Sequence, residues 1–188
     1  MNDLEQLTRR VEQLEARVEI AELCSAYAIA CDEHDLVRLE SLFTPDAVLD
    51  SPSKLLYANG RAEIMALYVR LFKIRGPGMH WTHDHFVHFD PADADHATGV
   101  VLSHAETCPD DQGSMAAMRY EDEYRRLDAR WVFRKRVLKF LYYVPVKDYA
   151  QVLRGPNRVT IGGRQLLGDV PESSPGWQAF ERDHRDQP

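Results

Sequence analysis

Near Gly76-Pro77-Gly78 the spacing of apolar residues in this chain changes, and the change fixes the class of fold. Upstream, hydrophobic positions recur every three or four residues, the period of a helix with one buried face. Downstream they alternate with polar ones, the period of a half-buried strand. Helices first and a run of hairpin-linked strands afterwards predict an α+β domain rather than a parallel βαβ sheet.

The helical half has three expected segments. Residues 3–33 read as one long helix in which Leu4, Leu7, Val11, Leu14 and Val18 follow the 3-4-3-4 spacing of a short coiled-coil seam. That seam can face the chain's own domain or a second copy. From Ile20 onward the helix is apolar enough to lie across a sheet. His34-Asp35 breaks the pattern before a short helix over 36–43, and Gly60 precedes a third over 61–74, with Ile64, Leu67, Tyr68 and Leu71 on one face.

The alternating half predicts four strands, about 80–90, 97–108, 114–126 and 131–143, joined by hairpin-length connections. The tail offers a helical candidate over 146–153 and then becomes rich in Gly and Pro, with Trp177 and Phe180 as anchors. One domain over 1–145 is expected, with 146–188 packing on it or on a neighbouring subunit.

Charge narrows the partners. Lys and Arg number 23 against 30 Asp and Glu, a net charge of −7, which argues against a nucleic-acid or anionic-membrane surface. The basic run Arg134-Lys135-Arg136 falls in an alternating strand and reads as solvated positions. The N-terminal residues lack a basic region leading into an apolar one, and no apolar stretch approaches the ~18 residues of a membrane span. Cys24 and Cys31 lie seven residues apart on one helix, about 10 Å along its axis and too far for a disulfide. A cytoplasmic protein with reduced thiols is expected.

The residues able to carry chemistry are scattered. Tyr27 and Asp32 lie near the end of the first helix. Five residues turn a helix by about 140° beyond a full circle, so the two share a site only if the helix ends between or just beyond them. The strand His80-Trp-Thr-His83-Asp-His85-Phe-Val-His88 places His83 and His85 on one face with Val87 and Phe89 by simple alternation. On the next strand His104 and Glu106 share a face with Leu102. A metal held by His83 and His85 would need a third ligand, and the glutamate and glycine spacing of metal-binding cupin barrels is absent. No metal and no cofactor are therefore expected. A nucleophile elbow, a phosphate loop and a dinucleotide fingerprint are also missing.

In order and wording the chain resembles the SnoaL-like branch of the nuclear-transport-factor-2-like superfamily, near the scytalone dehydratase and bile-acid dehydratase group. The resemblance is carried by Ala26-Tyr27-x4-Asp32-x2-Asp35, Leu39-x2-Leu42-Phe43-Thr44-Pro45-Asp46-Ala47-Val48 and Tyr57-x2-Gly60-Arg61-Ala62-Glu63-Ile64. Thr82-His83-x-His85-Phe86, Arg119-Tyr120-x-Asp122-x-Tyr124, Trp131-x-Phe133 and Pro171-Glu-Ser-Ser-Pro-Gly-Trp177 continue it.

It implies a cone, a curved antiparallel or mixed sheet wrapped around the helices with a ligand cavity inside. Tyr27, Asp32 and His83 match the catalytic tyrosine, aspartate and histidine of the dehydratases, and His85 offers a second register for the base. Tyr57 and Glu106 fall near further polar positions, and His85, His104, Glu106 and Tyr57 are expected at the substrate. The implied activity is that of a cofactor-independent lyase of dehydratase type acting on a hydrophobic cyclic or aromatic molecule. An isomerase, a non-catalytic binding protein and a metal-dependent enzyme are the alternatives. The resemblance and the Leu4–Val18 seam together favour a homo-oligomer, a dimer or a trimer.

Overall fold

A computed structural model describes residues 3–185; the extreme ends of the expected domain and tail, 1–2 and 186–188, lie outside the described residues. The elements in chain order are α1 (Asp3–Asp32), α2 (Leu36–Ser41), β1 (Phe43–Asp50), β2 (Ala58–Asn59) and α3 (Arg61–Arg75), then β3 (Gly78–Phe89), β4 (His96–Thr107), β5 (Ser114–Leu127) and β6 (Arg130–Pro145). A 3₁₀ segment, Val146–Arg154, leads to β7 (Val159–Ile161), β8 (Arg164–Leu166) and α4 (Pro175–His184). The α+β class and the four long strands agree with the sequence reading. The tail adds what alternation did not reveal, a two-stranded hairpin and a terminal helix. Among the described residues no helix is long and apolar enough to cross a membrane.

The sheet runs β2-β1-β6-β5-β4-β3, with β1 parallel to β6 and the other neighbours on that path antiparallel. The β7–β8 hairpin joins beside the far half of β6, where β7 runs parallel to it. Three one-residue irregularities bend the four long strands: between Thr82 and His85 on β3, at Arg134 on β6 and at Leu141 on β6. A bulge of this kind sharpens local twist and reverses the in–out alternation beyond it. The sheet therefore curls, and its concave face carries five cross-strand rows. They are His80–Ala105–Ala116–Tyr143, Thr82–Ser103–Met118–Phe140, His85–Val101–Tyr120–Leu138, Val87–Gly99–Asp122–Arg136 and Phe89–Ala97–Tyr124–Phe133.

Into that hollow α1 lays the stripe Ala16, Ile20, Leu23, Cys24, Tyr27, Ala30 and Cys31, and α3 adds Ile64, Leu67 and Tyr68, forming one core with the concave rows. The helix ends follow from local chemistry. Asp35 caps α2 by accepting from the Arg38 amide at 2.9 Å. α3 stops at Gly76, whose φ of 61° favours glycine and where a Cβ would meet the Cys108 carbonyl at 3.0 Å. Gly99 is required for a different reason: a Cβ there would lie 2.9 Å from the Tyr124 ring.

At the centre of the core Arg136 is 1% exposed, and it forms a two-pronged pair with Asp122, which is 0% exposed, at 2.9 and 2.7 Å. This corrects the reading of the 134–136 run as solvated. Arg134 is the bulged residue and bonds the Asp46 carbonyl from the surface, so the next inward position is Arg136. The tail is tied down through β6, where Asp169 exchanges two hydrogen bonds with the Phe140 backbone and Arg158 donates to the Leu141 carbonyl. Trp177 and Phe180, expected as anchors, are instead 42% and 60% exposed on α4.

Removing one member of a buried ion pair leaves the other charge without compensation, at a cost of about 3–5 kcal/mol. Asp122→Ala should lower the unfolding free energy by that amount in chemical denaturation, whereas Arg134→Ala on the neighbouring strand should change it by less than ~1 kcal/mol.

Candidate active site

The last residue of α1 and the start of β3 meet at the rim of the hollow. Both carboxylate oxygens of Asp32 are spent on one residue, His80. Oδ1 lies 2.5 Å from the ring Nδ1, and Oδ2 accepts the His80 main-chain N–H at 2.9 Å. The imidazole is nearly enclosed, with its side chain 5% exposed. Its other nitrogen, Nε2, faces an Nη2 of Arg75 at 3.2 Å. A guanidinium can only donate, so Nε2 must present its lone pair and Nδ1 must carry the proton given to Asp32. Aspartate, histidine and arginine thus favour the tautomer with its proton at Nδ1 and its lone pair at Nε2, turned to Arg75.

Beside this dyad, deeper along α1, lies a cluster of phenols. The Tyr27 and Tyr68 hydroxyls form a short hydrogen bond. The Tyr27 ring is packed edge-on against Phe43, Tyr68, Tyr120 and Phe133. The Arg136 guanidinium covers the Tyr27 and Tyr120 rings, each centroid 4.2 Å away, and Phe133 at 4.0 Å. Burial holds Tyr27 and Tyr68 well above the usual phenol range, and burial raises Tyr120 to about 12. All three are proton donors at neutral pH. A pair of hydroxyls has two protons and uses one between them, so one O–H of the Tyr27–Tyr68 pair remains to serve another acceptor.

Asp32 and Tyr27 both lie on α1, Tyr27 in the core and Asp32 at its rim, but His83 does not join them. The β3 bulge after Thr82 breaks the simple alternation: His80 and Thr82 point inward, then His85, Val87 and Phe89, while His83 turns to the convex side. There its Nε2 meets His104 Nδ1 at 2.8 Å. His104 and Glu106 stand on the convex face because Val101, Ser103, Ala105 and Thr107 take the inward positions of β4. Tyr57, in the loop between β1 and β2, is half-exposed under the Lys54 ammonium, 4.9 Å from its ring centroid.

His85 does face inward, but deeper. Its Nε2 is 3.2 Å from the Tyr124 hydroxyl, which donates to Asp122 at 2.9 Å. Among the described residues no three His, Cys, Asp or Glu are grouped to hold a metal ion, and the bulge parts His83 from His85. Sequence alone missed three residues: His80, passed over for His83 and His85 on the same strand; Arg75, masked as a helix-terminal cation; and Arg136, masked by its basic neighbours. The available signal was the spacing from Asp32 to the first histidine after the Gly-Pro-Gly break.

Comparison with known proteins agrees with this architecture. The SnoaL-like domain profile matches residues 12–137, and the chain belongs to that family. No curated protein matches its sequence. Among solved structures it is similar to a hexachlorocyclohexane dehydrochlorinase, LinA type 2, at TM-score 0.68 and 23% identity, over 73% of this chain and 93% of that one. A scytalone dehydratase-like protein of Novosphingobium aromaticivorans aligns at TM-score 0.64 and 16% identity, covering 74% and 91% of the two chains. An NTF2-like protein with a cystatin-like fold from the same organism aligns at TM-score 0.60 and 28% identity, covering 75% and 92%. The recognised family and its curved, cone-shaped α+β fold are thereby supported.

The interior histidine makes stability depend on pH. Burial lowers the His85 pKa from its ordinary value of 6.5. Below 6.5 the unfolded chain binds a proton that the folded chain resists, so stability is full above that pH and declines as pH falls through it. The urea midpoint of the wild type should fall more between pH 7.5 and 5.5 than that of His85→Gln; equal falls would assign the loss to other groups.

Proposed function

We propose that the chain is a cofactor-independent lyase in which His80 is the general base, held by Asp32, and that the Tyr27–Tyr68 pair is the acid-side donor. The observation that carries this is the Asp32–His80 contact: one carboxylate oxygen holds the ring Nδ1 and the other the main-chain N–H, leaving Nε2 as the basic atom. The ring is flanked across the sheet by Ala105 and Ala116, whose side chains are small. In the proposed reaction Nε2 takes a proton from carbon. The C–H electron pair becomes a C=C bond, and the group on the adjacent carbon leaves with the former bonding pair. A hydroxyl leaves as water with the proton returned by the imidazolium, whereas a halide leaves as the anion. Asp32 stabilises the imidazolium while it exists, and the spare phenol proton stabilises negative charge on an oxygen or leaving group. Arg75 must turn aside for the substrate carbon to reach Nε2, and its charge then lies beside the departing anion.

The aromatic interior suits a hydrophobic cyclic small molecule, the substrate class named for the dehydrochlorinase neighbour. An isomerase would use the same base and return the proton to another carbon, so product analysis separates the two. Three free thiols, two of them buried, fit the reducing cytoplasm we assign to it.

Chloride release from hexachlorocyclohexane and water loss from cyclic β-hydroxy ketones, followed in D₂O, provide the assay. His80→Gln and Asp32→Asn should lower turnover by about 10²–10⁴-fold, the usual worth of general acid–base catalysis. His83→Gln and His104→Gln should stay near wild type. A His80→Gln enzyme as fast as the wild type, or loss of activity only with His83→Gln, would overturn the assignment.

A further inference from the structure

α1 carries two apolar stripes, and the domain uses only one. At about 100° per residue, Ala16, Ile20, Leu23 and Tyr27 centre on one side of the helix, while Leu4, Leu7, Val11, Leu14 and Val18 centre about 180° away. The first stripe is buried. The second is open along its length, its five residues being 71%, 55%, 44%, 63% and 58% exposed. Every described residue before Ala16 is exposed, so the beginning of the helix projects beyond the core. The SnoaL-like match starts only at residue 12, so three of the five seam residues, Leu4, Leu7 and Val11, lie before it.

We infer that the occupant of this seam is the same seam of a second copy, in a parallel two-stranded coiled coil. In heptad terms Leu4, Val11 and Val18 are a positions, and Leu7 and Leu14 are d positions. β-Branched residues at a with leucine at d favour two parallel strands. The flanking charges select the same direction. Arg10 and Arg17 occupy g, and Glu15 and Glu22 occupy the following e positions. In a parallel pair Arg10 of one chain stands opposite Glu15 of the other, and Arg17 opposite Glu22. An antiparallel pair would set arginines against arginines and glutamates against glutamates. Arg17 is partly held at home, donating to the Val87 carbonyl at 2.9 Å, which leaves Arg10–Glu15 as the stronger cross-chain pair.

Two further features permit the pairing. Because the seam lies opposite the buried stripe, two domains joined along it point away from each other and do not collide. The helix is also already nucleated on its domain from Ala16 onward, so association adds side-chain contacts without the nucleation cost that makes short isolated helices marginal.

Light scattering and sedimentation of the full chain test this. Leu7→Glu/Leu14→Glu should halve the wild-type mass without changing the far-ultraviolet dichroism of the domain. Arg10→Glu and Glu15→Arg should each raise the dissociation constant about tenfold, and the double exchange should restore it. A monomeric wild type, or a seam variant of unchanged mass, overturns the proposal. A halved mass combined with no effect of the charge exchanges overturns the parallel arrangement.

Discussion

Arg136 and Asp122 form an ion pair sealed inside the hollow of the sheet, and much of the interior is arranged around it. Burial opposes the arginine's charge, yet Asp122 more than offsets this and keeps its pKa raised well above the ordinary value. Three aromatic rings lie against the guanidinium, and one of them belongs to Tyr27. On the other side Asp122 accepts from Tyr124, which reaches His85. Cys24 lies against Tyr124 and Arg136, and burial lifts its thiol to about 11. The phenol at the candidate site and the histidine behind it are therefore positioned by one charge pair on neighbouring strands.

That arrangement separates packing from chemistry. The Arg136 and Asp122 charges satisfy each other, and nothing in their geometry requires them to meet a substrate. Asp32 and His80 differ in being near the rim, one at the end of a helix and one near the start of a strand. His34 helps fix the chain there, adopting a φ of 54° and stacking on Phe72 at 4.2 Å. The helix is thus ended where its last carboxylate can turn to the neighbouring strand.

The fold was legible because long segments kept their period: α1, α3 and the four long strands lie within a few residues of where spacing puts them. The site was only half legible, and the failures share one cause. Alternation is a rule about unbroken strands, and an extra residue inverts it. His83 was placed inward and Arg136 outward, and each lies just after or within such an irregularity. His104 and Glu106 were grouped together correctly on their strand, but a strand read alone does not say which of its faces is concave. Gly99 and the alanines at 97 and 105 mark the crowded side only once the curvature is known. Bulges carry no strong residue signature of their own, so tertiary packing decides them.

β3 ends the sheet path, with β4 beside it and no strand beyond among the described residues. An outermost strand with a continuous row of free amides and carbonyls is a template on which another chain can grow. Here the row is interrupted in mid-strand by the extra residue between Thr82 and His85. A single added residue therefore serves two purposes. It turns His85 to the concave side, and it spoils the edge as a seed for cross-chain sheet extension, so that the packing of the interior and the protection of the edge are set by one local distortion.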